Sequence, residues 1–313
     1  MIKYFAQKCI LLAILTLSQN LLATQFVVLG DTGKGNDGQK LVSEALQKHC
    51  SNGICEFGIM TGDNIYGGSM KDVNDPIMKR LFADYYEKLQ FPMYMTLGNH
   101  DYGDLNYIWH LGKMQVEYSK INPQFVLPNT FYFVEKENEI IAVIDTTRIL
   151  YGHDISEQAI MLREAYALAK AKNKWFIVSG HHPYISNDEY GNAGLYKDQE
   201  RWIFKLPIFS GIRIKEFVEE NICGKADIYF CGHDHSLQVL DGNIKQCPTL
   251  MIVSGAGASA SHLMKSRNPI LFQGSTLGFF SLQSDNSKIN IQALDEKLNL
   301  LYSMSLTDKK HKH

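Results

Sequence analysis

No C-x-x-C pair occurs in this 313-residue chain, which excludes a closed, cysteine-rich zinc site. Charge of one sign is not in excess: the formal net charge is −2, which gives no reason to expect nucleic acid as a partner. Beyond the first residues no apolar run approaches the roughly 20 residues that a membrane-spanning helix needs. Internal repeats, low-complexity stretches and Pro/Gly-rich linkers are also missing, so the body of the chain is expected to be one domain, residues 24–313. With 45% apolar and 20% charged residues it can build a large core.

The N-terminus has the layout of a secretory leader. Lys3 and Lys8 precede the short apolar run Cys9 to Leu17, and Ala23 offers a small residue for cleavage. Residues 1–23 are therefore expected to be removed. The mature protein is expected to be exported, to a periplasm or outside the cell, with no stable membrane association. Cys9 leaves with the leader, and Cys50, Cys55, Cys223, Cys231 and Cys247 remain. That odd number leaves at least one thiol free or paired outside the chain. Cys50 and Cys55 could close a small loop in an oxidising compartment, whereas Cys231 reads as a packed thiol. The basic tail from Lys309 to His313 is expected to fray.

Short apolar runs recur at Phe26–Leu29, Phe57–Met60, Met93–Leu97, Ile140–Ile144, Trp175–Val178, Ile228–Phe230 and Leu250–Val253. Helical patterns lie between several of them, at Gly38–His49, Ile77–Leu89, Ser156–Ala171 and Ile212–Asn221. This alternation predicts an α/β chain with parallel strands and helices outside. Strand follows strand at the C-terminal end, with turn signals at Asp241-Gly242 and Asp285-Asn286.

Five of these runs end alike. Gly30 leads into Asp31, Gly62 into Asp63 and, three residues on, Tyr66; Gly98 into Asn99 and His100, Gly180 into His181 and His182, and Gly232 into His233-Asp234-His235. Sites in α/β sheets form at the carboxyl ends of strands, and glycine lets the chain turn there without a Cβ penalty. The donor set is Asp31, Asp63, Tyr66, Asn99, His181, His233 and His235. Seven donors exceed one first-row metal but suit two metals about 3.5–4 Å apart that share a carboxylate. So many histidines disfavour an oxygen-rich calcium cage. His100, next to a donor, should lie at the rim, where it could protonate a leaving alkoxide. His182 should point away from the site if its strand end is extended.

These blocks, Gly-Asp-Thr-Gly, Gly-Asp-Asn-Ile-Tyr, Gly-Asn-His-Asp, Gly-His-His-Pro and Cys-Gly-His-Asp-His-Ser-Leu-Gln, resemble the five signature blocks of purple acid phosphatases. That family lies within the calcineurin-like metallophosphoesterases, and the likeness is greater to its small, animal-type, tartrate-resistant members. Val73-Asn74-Asp75-Pro76, Glu117 to Ile121 and Val253 to Gly257 extend the likeness over nearly the whole mature chain. The resemblance implies a four-layer αββα sandwich, two packed mixed sheets flanked by helices. It implies ferric iron on Asp31, Tyr66 and His235, and Asp63 as a bridge. A second metal, ferrous iron, zinc or manganese, would sit on Asn99, His181 and His233. It further implies hydrolysis of phosphate monoesters at acid pH by in-line attack of a metal-bound hydroxide. Asn99, His100 and Tyr190 would contact substrate, and His100 and Tyr190 would serve the chemistry. Expected partners are small phosphorylated compounds, with phosphoproteins as a further class.

A phenolate is a hard anionic donor suited to a trivalent ion, and the block reads Asp31-Thr32-Gly33 where most metallophosphoesterases carry Asp-x-His. Two departures from the animal enzymes stand out. Tyr190 occupies the position of a further active-site histidine, and the short segment between Asp145 and Ser156 lacks their proteolytically removed loop. Two other readings keep the donor set: phosphodiester or pyrophosphate hydrolysis, and a non-catalytic metal-binding or adhesion protein. Oligomeric state is not legible.

Overall fold

The structure, a computed structural model, describes residues 23–103, 107–196, 207–263 and 267–310. Apart from Ala23, the expected leader lies outside the described residues. The strands in chain order are β1 (Thr24–Leu29), β2 (Phe57–Met60), β3 (Met93–Met95), β4 (Phe125–Val126), β5 (Tyr132–Glu135), β6 (Glu139–Val143) and β7 (Trp175–Ser179). They continue with β8 (Ile228–Cys231), β9 (Leu237–Asp241), β10 (Leu250–Ser254), β11 (Ile270–Gly274), β12 (Gly278–Ser284), β13 (Ile289–Asp295) and β14 (Leu300–Leu306). They form two seven-stranded sheets, ordered β14-β13-β12-β1-β2-β3-β4 and β11-β9-β10-β8-β7-β6-β5. Each is mixed. β1 to β4 run parallel with an antiparallel meander attached through β12, and β6, β7, β8 and β10 run parallel between antiparallel flanks.

The apolar runs read as continuous because both faces of the central strands are covered. In β6, Ile141 and Val143 face the core between the sheets, while Ile140 and Ala142 face the helical layer. Ile177 and Phe176 divide in the same way along β7, and Phe230 and Tyr229 along β8. The helices Ile155–Lys172 and Ile212–Asn221 cover the outer face of the second sheet through Leu162, Ala165, Phe217 and Val218. Asp37–His49 covers the first sheet through Val42, Ala45 and Leu46. The layers are therefore helix, sheet, sheet, helix, as expected.

Several elements differ from expectation. The helix read over Ile77–Leu89 changes its winding, passing from α (Pro76–Met78) to π (Lys79–Ala83), then α (Asp84–Tyr86) and 3-10 (Glu87–Leu89). Three glutamines bond carbonyls along this segment: Gln39 donates to Leu81 O, Gln47 to Tyr85 O and Gln124 to Tyr86 O. The helices Trp109–Ser119 and Thr146–Leu150, and strands β4, β5 and β11, were not read from sequence.

The basic tail is seated rather than frayed at its first two residues. Lys309 is buried, donates to Asn173 O and lies 4.9 Å over the Trp175 ring, while Lys310 N donates to Asp227 Oδ1 at 2.6 Å. A backbone carbonyl, a ring face and a buried carboxylate supply the partners that composition alone did not reveal. Residues 311–313 lie outside the described residues. Disulfides join Cys50 to Cys55 and Cys223 to Cys247, and Cys231 is a buried free thiol. Among the described residues no helix is long and apolar enough to cross a membrane.

Candidate metal centre

The strand-end glycines matter here for space more than for freedom to turn. A Cβ on Gly98 would stand 2.1 Å from Asp63 Oδ1, and one on Gly232 would stand 2.3 Å from Asp31 Oδ2. Gly62 apart, whose φ is 99°, it is donors rather than these glycines that take a positive φ: Asp31 and Asp63 both have 56° and His233 has 67°. Such φ values are uncommon outside glycine, cost roughly 1–3 kcal/mol each and cluster at functional sites. Backbone bonds fix the first two blocks against each other, with Asp31 N on Gly62 O at 2.9 Å and Tyr66 N on Gly33 O at 2.8 Å.

All seven expected donors converge. The Tyr66 hydroxyl lies 2.9 Å from Asp31 Oδ1, 2.9 Å from Asp63 Oδ2 and 3.1 Å from His235 Nε2. On the other side of Asp63, the same Oδ2 lies 3.3 Å from His181 Nε2. His181 Nε2 in turn meets Asn99 Oδ1 at 3.1 Å and His233 Nδ1 at 3.2 Å. Two donor groups thus share one carboxylate oxygen. Asp63, His181 and His233 also place ligand atoms within 4.8 Å of one another.

This crowding fits cations better than protons. Tyr66 has one hydroxyl proton and two carboxylate oxygens at equal distance to receive it. His181 directs Nδ1 at Thr61 O, 2.9 Å away, so that nitrogen carries hydrogen and Nε2 turns to the cluster. His235 likewise sets Nδ1 against Ser259 Oγ at 3.1 Å and Nε2 towards Tyr66. Burial, then His182 and His181, hold the His233 imidazole well below its ordinary value, which leaves a neutral ring. Burial alone would lower His181, but Asp63 beside it raises it to about 9. Burial would raise Asp63, and His181, His100 and His233 together pull it well below the carboxylate range. Burial and then Asp31 and Asp63 push the Tyr66 hydroxyl well up, so ionising it requires a strong positive charge at the oxygen. Asp31, Asp63, Tyr66 and His235 offer hard anionic oxygen and one imidazole, while Asn99 and His233 offer neutral donors and His181 becomes one when a cation displaces the proton that Asp63 holds on it.

His100 stands at the rim, half-buried, with its ring 4.2 Å from that of Tyr66 and Nε2 3.9 Å from Asp63 Oδ2. Its backbone N donates to Asp63 Oδ1 at 3.0 Å. Tyr190 lies against the donor set, its ring 4.1 Å from that of His233. Burial, then Glu189 and Asp234, push its hydroxyl up to about 12. His182 does not simply point away. Its ring packs behind His233, 4.6 Å between centroids, and Nδ1 meets Thr146 Oγ1 at 2.8 Å.

Sequence reasoning missed the residues that hold the donors in place. Asp101 accepts from Asn64 N at 2.9 Å, Ile65 N at 3.1 Å, Gly98 N at 2.8 Å and Gln115 Nε2 at 2.9 Å, tying the second block to the third. Its place directly after His100 was the available signal. Thr146 Oγ1 accepts from the backbone of His181 and His182, a link that no local pattern announces. Asp234, between two donors, turns aside to accept from Tyr190 N at 3.3 Å. Lys34 is half-buried beside Tyr66. Burial lowers its pKa, and the carboxylates of Asp31 and Asp63 work against that shift.

Comparison with known proteins finds relatives over most of the chain. The chain is 28% identical over 301 residues to purple acid phosphatase 4 of Arabidopsis thaliana, covering 88% of this chain and 81% of that one. It is 26% identical over 284 residues to tartrate-resistant acid phosphatase type 5 of Rattus norvegicus, covering 80% and 78%. A solved structure described as GAP50, the anchor in the inner membrane complex of Plasmodium, shares the fold. Its TM-score is 0.71 at 21% identity, with 92% of this chain and 90% of that one covered. The family of calcineurin-like phosphoesterases matches residues 24–237, and this chain belongs to it.

Proposed function

We propose that the chain is an exported two-metal acid phosphatase acting on phosphate monoesters. The observation that carries this reading is Asp63 Oδ2, which lies 2.9 Å from the Tyr66 hydroxyl and 3.3 Å from His181 Nε2 and so belongs to both donor groups. Asp31, Tyr66 and His235 would hold one cation, Asn99, His181 and His233 the other, and Asp63 both. Tyr66 favours ferric iron in the first position, and ferrous iron, zinc or manganese suits the second. Bound there, the cations supply Lewis acidity towards phosphoryl oxygens and acidify a water. His100 stands beside this set rather than in it, and its imidazolium can give a proton to the leaving alkoxide as the P–O bond opens in line. Tyr190 would offer a hydroxyl to a phosphate oxygen, and Asn99 would contact the same substrate. The leader-like N-terminus and two disulfides support export to an oxidising compartment. Small phosphorylated compounds are the proposed substrates, with phosphoproteins as a further class.

A panel of phosphomonoesters, phosphodiesters and pyrophosphate, assayed with the mature chain across pH, tests the proposal. Monoester hydrolysis strongest at acid pH is expected. Preference for diesters or pyrophosphate would reassign the activity, and no turnover by the metal-loaded protein would favour a non-catalytic role.

A further inference from the structure

Lys34 belongs neither to the proposed ligands nor to the proton donors, yet its side chain is directed at them. It follows the first strand-end block, Asp31-Thr32-Gly33, and folds back half-buried instead of extending into solvent. Its Nζ stands 4.8 Å from the centroid of the Tyr66 ring. The same Nζ donates to Ser259 Oγ at 2.7 Å, and that oxygen lies 3.1 Å from His235 Nδ1. An ammonium has only donors, so Ser259 must accept from it, and the hydroxyl anchors Lys34 over the ring. Two of the four proposed ligands of the first cation, Tyr66 and His235, therefore sense this one side chain, His235 through Ser259.

We propose that Lys34 is a positioning residue for the cation held by Asp31, Tyr66 and His235, placing a fixed positive charge over the Tyr66 ring that weakens the phenolate as an electron donor. The inference rests on the reading of Tyr66 as a ligand of ferric iron. A ring beneath an ammonium holds its electrons more tightly, so transfer of one to ferric iron takes more energy. The visible band of that transfer then lies at shorter wavelength than it would without the lysine. The same charge favours the ferrous state and raises the reduction potential of the iron.

The test uses the full mature protein loaded with iron, as wild type, Lys34→Gln and Lys34→Arg. Iron content, band position per bound iron and reduction potential are measured on each. Lys34→Gln is expected to bind iron as wild type does, with its band moved to longer wavelength and its potential lowered. Lys34→Arg, which keeps the charge, is expected to stay close to wild type in both. An unshifted band and potential in Lys34→Gln would overturn the proposal while leaving the iron reading intact. So would loss of iron from that variant, because removing a positive charge cannot weaken a cation site electrostatically. A wild type without a visible band would overturn the iron reading, and this inference with it.

Discussion

Asp63 is the side chain with most to lose. Its Oδ2 touches both donor groups, and its Oδ1 accepts from His100 N. Asp63→Ala is expected to lose metal and activity together. His100→Ala is expected to keep both cations and slow turnover by about 10²–10⁴-fold, the usual range for a lost general acid. Metal analysis beside turnover numbers separates the two cases, and an Asp63→Ala protein that retains both metals would rule out sharing. Tyr190 keeps a donor but brings no positive charge to its position against His233. Tyr190→Phe is expected to weaken substrate binding by ~0.5–1.5 kcal/mol, one hydrogen bond. Tyr190→His should tighten inhibition by phosphate at acid pH, and unchanged inhibition and KM in both variants would remove this residue from the site. The donors were legible because five of them follow a strand-end glycine directly and Tyr66 and His235 stand within four residues of one. Thr146 and Lys34 were not, since Thr146 acts across 35 positions of chain and a lysine in a loop reads as solvated.

Among the elements, the five strand ends pack into one edge because their glycines leave room for neighbouring blocks, Gly98 for the Asp63 carboxylate and Gly232 for that of Asp31. Gly232→Ala puts a methyl group where Asp31 Oδ2 and Thr61 Oγ1 now stand, 2.3 and 2.9 Å away. It is expected to fold and to lose affinity at the site of Asp31, Tyr66 and His235, measurable as metal bound per chain under competition with a chelator. Full occupancy would show that Asp31 can shift without cost. Elements missed in the sequence share a cause, weak local signal. The helix Trp109–Ser119 has no side-chain cap and contains Gly112, which is pressed against the Tyr102 ring. β11 is an edge strand with Ile270 and Leu271 exposed, so alternation does not mark it. The segment Pro76–Leu89 looked uniform because its changes of winding bond to glutamines distant in sequence.

At the scale of the molecule, several buried carboxyls lie away from the proposed ligands. Burial pushes Glu139 from 4.5 up to about 7, Asp145 from 3.8 up to about 7 and Asp227 from 3.8 up to about 6. Between those limits the folded chain holds protons that the unfolded chain has released. Stability should therefore fall as pH rises from near 4 to about 7 and be flat on either side with respect to these groups. Glu139, fully buried against Ser284, can account for on the order of 3 kcal/mol of that fall. Denaturant melts at pH 5 and pH 8 should differ less in Glu139→Gln than in wild type, and an equal difference would exclude Glu139 as a source. The same region seats Lys309 and Lys310, so removal of residues 309–313 should lower stability at every pH.

The proposed function requires two cations sharing Asp63, one of them ferric iron on Tyr66. Metal analysis with a visible spectrum, on protein purified without chelators, tests this most directly. It should find two metal ions per chain, at least one of them iron, and a charge-transfer colour that Tyr66→Phe bleaches without unfolding the protein. A colourless wild type, fully active with two zinc or two manganese ions, would contradict it.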